Sequence, residues 1–203
     1  WRRGVRYIEL RSLDIDPFEP LGVSSTTLYF LQSLILWCLL EDSAPLATSE
    51  REMIDRNLIN TARMGRARSF VLERPQGSIS LRQWGLEILD QVHACAELLD
   101  ANDPTQPHQQ ALAAQRAKLQ NPELTPSARV VREMRERGET FFRFAQRKSL
   151  EHQAHFSNLA LDPEHTAWFE QLAEESLRKQ GQMEASDRLS FDQYLAQYFA
   201  QTL

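Results

Sequence analysis

The sequence predicts a mainly α-helical chain: one or two β-strands near the amino-terminal end, then a helical array. Three observations carry this. Tyr7-Ile8-Glu9-Leu10-Arg11-Ser12-Leu13-Asp14 alternates polar and apolar residues, the period-2 pattern of a half-buried strand, with Ser12 breaking it. From residue 24 onward, apolar residues recur at helical spacing between cap signals. No later stretch is an equal partner for the first strand; Ser69–Glu73 is a weak one. Residues 1–23 therefore read as strand and turn, and 24–203 as a helical region.

Trp1–Gly4 enters the strand by a turn. A lone strand cannot satisfy its own backbone groups, so this one is expected to pair with chain outside the sequence. Pro17, Pro20 and Gly22 mark a turn-rich exit. Ser24 or Ser25 caps a helix to about Glu41. That helix is apolar nearly all round, which predicts burial: Leu28, Leu31, Ile35 and Cys38 on one face, Phe30, Leu34 and Trp37 on another. Ser49-x-x-Glu52 is a capping box for a second helix, to about Met64, closed by Gly65. Ser80-x-x-Gln83 opens a third, with an inward stripe of Leu81, Trp84, Ile88, Val92, Cys95 and Leu99, and Leu89 and Ala96 beside it. Trp84 could stack on a base, but at this spacing it reads as core.

Asn102-Asp103-Pro104 stops that helix. Another covers Pro107–Gln120, ended by Asn121-Pro122. Thr125, with Pro126 at the first helical position, starts the next, to about Arg137. Gly138 breaks it, and a further helix runs on through Phe141 to about Leu159. Asp162-Pro163 caps a helix from Glu164 to about Lys179. Ser190-x-x-Gln193 opens the last, with Phe191, Tyr194, Leu195, Tyr198 and Phe199 on its apolar side.

The chain has 203 residues, 42% apolar and 25% charged, values that support a packed core. Lys plus Arg is 23 against 28 Asp plus Glu, a net charge of −5, which argues against a general nucleic-acid binder. Cys38 and Cys95 sit in apolar periodic segments and read as buried free thiols of a reducing, cytoplasmic compartment. The apolar run 28–40 is too short to span a bilayer, so no membrane partner is expected. The start at Trp1 rather than Met suggests a fragment, a processed chain or an expressed piece, and no signal peptide is evident.

Glu9 and Arg11 point to one side of an extended chain. A carboxylate and a guanidinium so placed can hold a cation and an anion side by side, as phosphoryl chemistry with a metal nucleotide requires. They can equally make a plain surface ion pair. Seven arginines lie between residues 51 and 82: Arg51, Arg56, Arg63, Arg66, Arg68, Arg74 and Arg82. They read either as a phosphate-binding cluster or as a solvated basic face paired with acidic neighbours. His93 has no second ligand at metal spacing. His152 and His155 stand three apart, but no local residue completes a zinc set.

The run from Tyr7 to Val23, Tyr-Ile-Glu-Leu-Arg-Ser-Leu-Asp-Ile-Asp-Pro-Phe-Glu-Pro-Leu-Gly-Val, closely resembles a segment late in bacterial glutamate–cysteine ligases, the γ-glutamylcysteine synthetases that open glutathione synthesis. Weaker matches follow at Gly65-Arg66, Asn121-Pro122-Glu123-Leu124 and Ser127-Ala128-Arg129, and the resemblance thins after Gly138. It implies the carboxy-terminal part of an α+β, glutamine-synthetase-like ligase fold, with residues 1–23 belonging to the catalytic sheet. It implies ATP and Mg²⁺ as cofactors and glutamate and cysteine as substrates. ATP would phosphorylate the glutamate γ-carboxylate, and the cysteine amine would displace phosphate. By position, Glu9 matches the family's metal-binding glutamate, and Arg11 the catalytic, ATP-contacting arginine near the transferred phosphoryl group. Arg66 matches without an assigned role. The missing amino-terminal part is the implied partner, and the chain alone is expected to be inactive. The alternative is a non-catalytic helical interaction or scaffolding module whose first strand augments a partner's sheet.

Overall fold

Side-chain caps set most of the helix starts. Ser24 Oγ accepts from Thr27 N at 3.1 Å and opens α1 (Ser25–Leu40). Ser80 Oγ accepts from Gln83 N at 3.1 Å and opens α3 (Leu81–Leu99). Thr125 caps α5 (Pro126–Arg137), which ends at Gly138 in the left-handed region, φ 62°. Asp162 caps α7 (Pro163–Ser186), and Ser190 and Gln193 cap α8 (Phe191–Ala200) reciprocally. Between these lie α2 (Thr48–Met64), α4 (Pro107–Gln120) and α6 (Phe141–Ser157), with a 3₁₀ turn at Pro122–Leu124. This is a computed structural model, and it describes residues 7–11, 13–43 and 45–200.

The chain is mainly α with two strands, as expected, but the strands are not at Tyr7–Asp14: the first falls on the weak candidate Ser69–Glu73 and pairs with the stretch that follows it. β1 (Val71–Arg74) and β2 (Gly77–Ser80) make an antiparallel hairpin in the register Val71↔Ser80, Leu72↔Ile79, Glu73↔Ser78 and Arg74↔Gly77. The expected strand Tyr7–Asp14 is not formed: residues 7–11, 13 and 14 carry no regular structure, and Ser12 and the Trp1–Gly4 turn lie outside the described residues. Tyr7, Ile8, Leu10 and Leu13 are all exposed, so neither face of the alternation is covered. A ladder needs a second strand, and none lies beside this segment among the described residues.

The chain divides into a first compact unit through Gln153 and a second from Ala154. In the first, α1, α3 and α4 pack on one another around Leu89, Val92, Ala96 and Leu112, flanked by Phe30, Leu34, Trp37, Ile88 and Leu119. The predicted α3 stripe is the core face, with Leu89 and Ala96 buried more deeply than Ile88. The all-round burial expected of α1 is not found. Its Phe30–Leu34–Trp37 face meets the core, while Leu28, Leu39, Leu40 and Cys38 are exposed. Cys95 is the buried thiol.

Two helix boundaries also differ. α2 starts after Ala47, whose N–H donates to Glu50 Oε2 at 3.0 Å, so the Ser49–Glu52 box is not the cap. α7 runs seven residues beyond Lys179, through Gly181. One glycine costs a helix about 1 kcal/mol, too little to stop it.

The second unit carries α7 and α8. Trp168 and Phe169 touch at 4.9 Å between ring centroids on α7, and Tyr194 and Tyr198 stack on α8 at 6.2 Å. No helix among the described residues is long and apolar enough to cross a membrane.

Candidate functional site

The loop after the irregular arm is closely built. Asp16 N donates to Gly22 O at 2.8 Å, Glu19 N to Asp16 O at 3.1 Å, and Gly22 N to Glu19 O at 2.9 Å. Asp16 Oδ1 accepts from Phe18 N at 3.0 Å. This aspartate-led turn needs Gly22 at φ +74°, a conformation costly for any residue with a Cβ.

Phe18 holds the loop to the helices. Its ring meets Phe144 edge-on at 6.0 Å, the Arg129 guanidinium lies over it at 3.9 Å, and Lys148 Nζ lies 5.1 Å from its centroid. Phe144 is 1% exposed, so α5 and α6 offer a fixed seat with a cationic lid. Behind the seat, Arg147 bonds Glu133, Glu139 and Glu151. Its guanidinium bond holds the Glu139 carboxyl below the usual range.

The arm carries Glu9 and Arg11 away from this seat. Arg11 Nη2 donates to Glu9 Oε2 at 2.9 Å, and both side chains are exposed, at 82% and 56% for Arg11 and Glu9. The structure thus puts the two predicted residues in contact with each other. It does not bring them to a cavity. The cleft of about 1340 Å³ beside the loop is lined by Asp14, Asp16 and Glu19, and by His152 of α6, but by neither Glu9 nor Arg11.

One carboxylate is a poor cation site, because Mg²⁺ is held by several oxygen ligands. Among the described residues, no group of three or more His, Cys, Asp or Glu could hold a metal ion. That covers His93, His152 and His155 as well. Glu9 can contribute one oxygen ligand to a metal centre. The residues present do not by themselves fit the whole of one.

The seven arginines separate into kinds. Arg56 pairs with Glu73 at 2.8 Å, and Arg74 with Glu87 at 3.5 Å, the solvated-face reading. Arg66, Arg68 and Arg82 instead border a groove of about 720 Å³, joined by Lys118 of α4. Arg51 and Arg63 have no ion-pair partner among the described residues.

Sequence reasoning missed a buried pair. Asp100 closes α3 and starts α4: Oδ1 accepts from His108 N at 3.1 Å and lies 2.6 Å from His108 Nδ1, while Oδ2 accepts from Gln109 N at 2.9 Å. His108 Nε2 lies 2.9 Å from Gln32 Oε1, and Tyr29 meets the ring edge-on at 4.9 Å. Burial alone would push the Asp100 carboxyl up, but the Gln109 amide and the His108 ring and amide outweigh it and hold it low. Asp100 accepts at the start of a helix eight residues on, and the only available signal was a polar residue ending one apolar stripe just before the next. The pair ties three helices together and lies on a buried face, so its role is structural.

Known proteins resemble the chain over almost its whole length. The family model described as glutamate–cysteine ligase matches residues 1–61. A glutamate–cysteine ligase of Janthinobacterium sp. (strain Marseille) is 40% identical over 200 residues, covering 98% of this chain and 38% of that protein. One from Pseudomonas paraeruginosa is 41% identical over 201 residues, 99% of this chain and 38% of the relative. One from Azotobacter vinelandii is 40% identical over 198 residues, 98% of this chain and 37% of the relative. The chain therefore spans little more than a third of the length of these relatives. Because the likeness runs through the helical array as well as the arm, the chain belongs to the glutamate–cysteine ligase family.

Proposed function

We propose that the chain is the carboxy-terminal part of a cytoplasmic ligase that uses ATP and Mg²⁺ to join the γ-carboxylate of glutamate to the amine of cysteine, and that it acts only together with the remaining polypeptide. The observation that carries this is about 40% identity to glutamate–cysteine ligases along 98–99% of the chain. In this reading residues 1–23 complete a catalytic sheet with strands from elsewhere, and residues 24–203 form the helical region. The bare arm supports it: Tyr7, Ile8 and Leu10 are all exposed, as the apolar residues of a strand lacking its neighbours would be. The uncovered face of α1 at Leu28, Leu39 and Leu40 supports it too.

Each residue has a chemical task in this reading. Arg11 stays charged and offers forked donors to phosphoryl oxygens, where lysine would be a poor replacement. Glu9 supplies one hard oxygen ligand to Mg²⁺. In this reading Glu9 would hold the metal and Arg11 the phosphoryl oxygens, side by side as their contact at 2.9 Å allows. The seat around Phe18 fixes the root of the arm.

The test is made on the complete ligase polypeptide, with γ-glutamylcysteine formation as the readout. Arg11→Ala is expected to lower turnover by roughly 10²–10³-fold, the loss typical of removing one transition-state donor. Glu9→Gln is expected to raise the Mg²⁺ concentration needed for half-maximal rate. The 203-residue chain alone is expected to give no product. Near-normal turnover in Arg11→Ala overturns the role assigned to it.

A further inference from the structure

We propose that α8 is a docking helix: its apolar face seats in a groove of the ligase polypeptide outside these 203 residues, a groove with an apolar floor and Lys and Arg at its rim. The inference rests on the reading of the chain as part of a longer ligase. Phe191, Tyr194, Leu195, Tyr198 and Phe199 recur at i, i+3, i+4, i+7 and i+8, so all five lie along one side of the helix. Each is between 37% and 75% exposed, and no residue of α7 or α8 is buried. The row is arranged within itself: Tyr194 stacks on Tyr198, and Phe199 meets Tyr198 edge-on at 5.5 Å.

A helix of ten residues is marginal in water on its own and gains its stability by burying such a face. Single exposed apolar side chains are ordinary on a protein surface. Five in one row are the pattern by which a helix enters a partner's groove, with anchors at i, i+3, i+4 and i+7. The Tyr194 and Tyr198 hydroxyls give two of the anchors a polar tip for the groove's edge.

Charge decides the kind of surface. Residues 154–203 hold eight Asp and Glu against three Lys and Arg, so the chain's whole net charge of −5 falls in the second unit. A second copy would bring an equal charge against it, and like charges oppose that pairing. Cations around an apolar floor draw the acidic unit in and leave the floor to the rings. Length decides whose surface it is. The chain spans 38% of the Pseudomonas paraeruginosa ligase, and that match takes in 201 of the 203 residues, α8 included. In that relative the matching segment and a larger remainder share one polypeptide. Tethering of that kind makes docking intramolecular, so one short helix suffices.

The experiment uses the complete ligase polypeptide, with the 203-residue chain as the undocked reference. By hydrogen exchange and mass spectrometry, peptides covering 191–200 should exchange at least tenfold more slowly in the complete polypeptide. A benzophenone side chain placed at Tyr198 should cross-link to residues outside these 203, in peptides that carry Lys or Arg. Mixing isotope-labelled with unlabelled copies separates links within one polypeptide from links between two. The double variant Tyr194→Ser/Tyr198→Ser should restore fast exchange at 191–200, and Tyr194→Phe/Tyr198→Phe should keep most of the protection. Raising sodium chloride should speed exchange there, because salt screens a charged rim and not an apolar floor. Cross-links confined to these 203 residues, or running between copies, overturn the proposal. So does exchange as fast in the complete polypeptide as in the shorter chain, or protection indifferent to the serine substitutions. Protection that salt leaves unchanged overturns the basic rim. None of these readouts is turnover: a polypeptide that protects α8 and forms no γ-glutamylcysteine removes the ligase reading alone, and one that forms it with α8 unprotected removes the docking alone.

Discussion

Replacing Asp100 by alanine should be among the most damaging single changes in the first unit. The carboxylate is 1% exposed and accepts three bonds, from the amides of His108 and Gln109 and from the His108 ring. Losing the cap at the start of α4 costs about 0.5–2 kcal/mol. Losing a buried, charge-assisted bond to the ring costs about 1.5–3 kcal/mol more. The sum, about 3 kcal/mol, is a sizeable fraction of ordinary domain stability. Urea denaturation followed by far-ultraviolet circular dichroism should show the midpoint falling by roughly 1 M or more, given slopes of about 1–3 kcal/mol/M. Hydrogen exchange should show the first turn of α4 opening before α3.

Acid gives the same comparison an internal control. The Asp100 carboxyl is held below its ordinary value in the folded chain. Its charge-dependent contribution is therefore fully present above the unfolded value of about 3.9 and fades as pH drops through the lower folded value. The gap between the parent and Asp100→Asn should narrow over that acid window and stay constant above pH 5 or so. A loss below about 1 kcal/mol in Asp100→Ala, or a gap that widens in acid, refutes the account of Asp100 as a buried, charged tie between helices.

Other perturbations follow from the same geometry. Phe144→Ala should destabilise the first unit by about 3–5 kcal/mol and expose the 16–22 loop to limited proteolysis, because it removes the floor under Phe18. Gly22→Ala should cost about 1–2 kcal/mol, read by thermal unfolding, since φ is +74° and the new Cβ would lie 3.0 Å from Ile15 Cγ2. Asn57→Ala should speed amide exchange at Glu73, whose N–H donates to Asn57 Oδ1 at 2.9 Å. Cys38 should react with a thiol reagent in the native chain while Cys95 waits for unfolding, measured by counting labelled thiols with and without urea.

Local chemistry was legible in the sequence, and its reach marks where prediction stopped. Ser24, Ser80, Thr125, Asp162 and Ser190 are side chains bonding amides within one turn, and each starts a helix as the residue types suggest. Ala47 shows the limit: it has no capping atom of its own, and Glu50 bonds its amide from inside the helix. The α3 stripe was readable because burial there repeats with the helix. α1 was misjudged because an even spread of apolar residues says nothing about which side finds a neighbour. Alternation at Tyr7–Asp14 states a preference for pairing, and pairing needs a second strand. Asp100 and His108, like Phe18 beneath Arg129, owe their roles to contacts across intervening chain that no short window contains.

The hairpin against α2 has a consequence for self-association. Asn57 Nδ2 donates to Glu73 O at 2.7 Å while Asn57 Oδ1 accepts from Glu73 N, so one side-chain amide occupies both outward backbone groups of β1 at its third residue. Arg56 braces the same residue through its carboxylate. An open β-edge is a ready template for unwanted stacking of copies. Here a helix plugs it with a single asparagine, so the two-stranded ribbon is a dead end for growth at that rim.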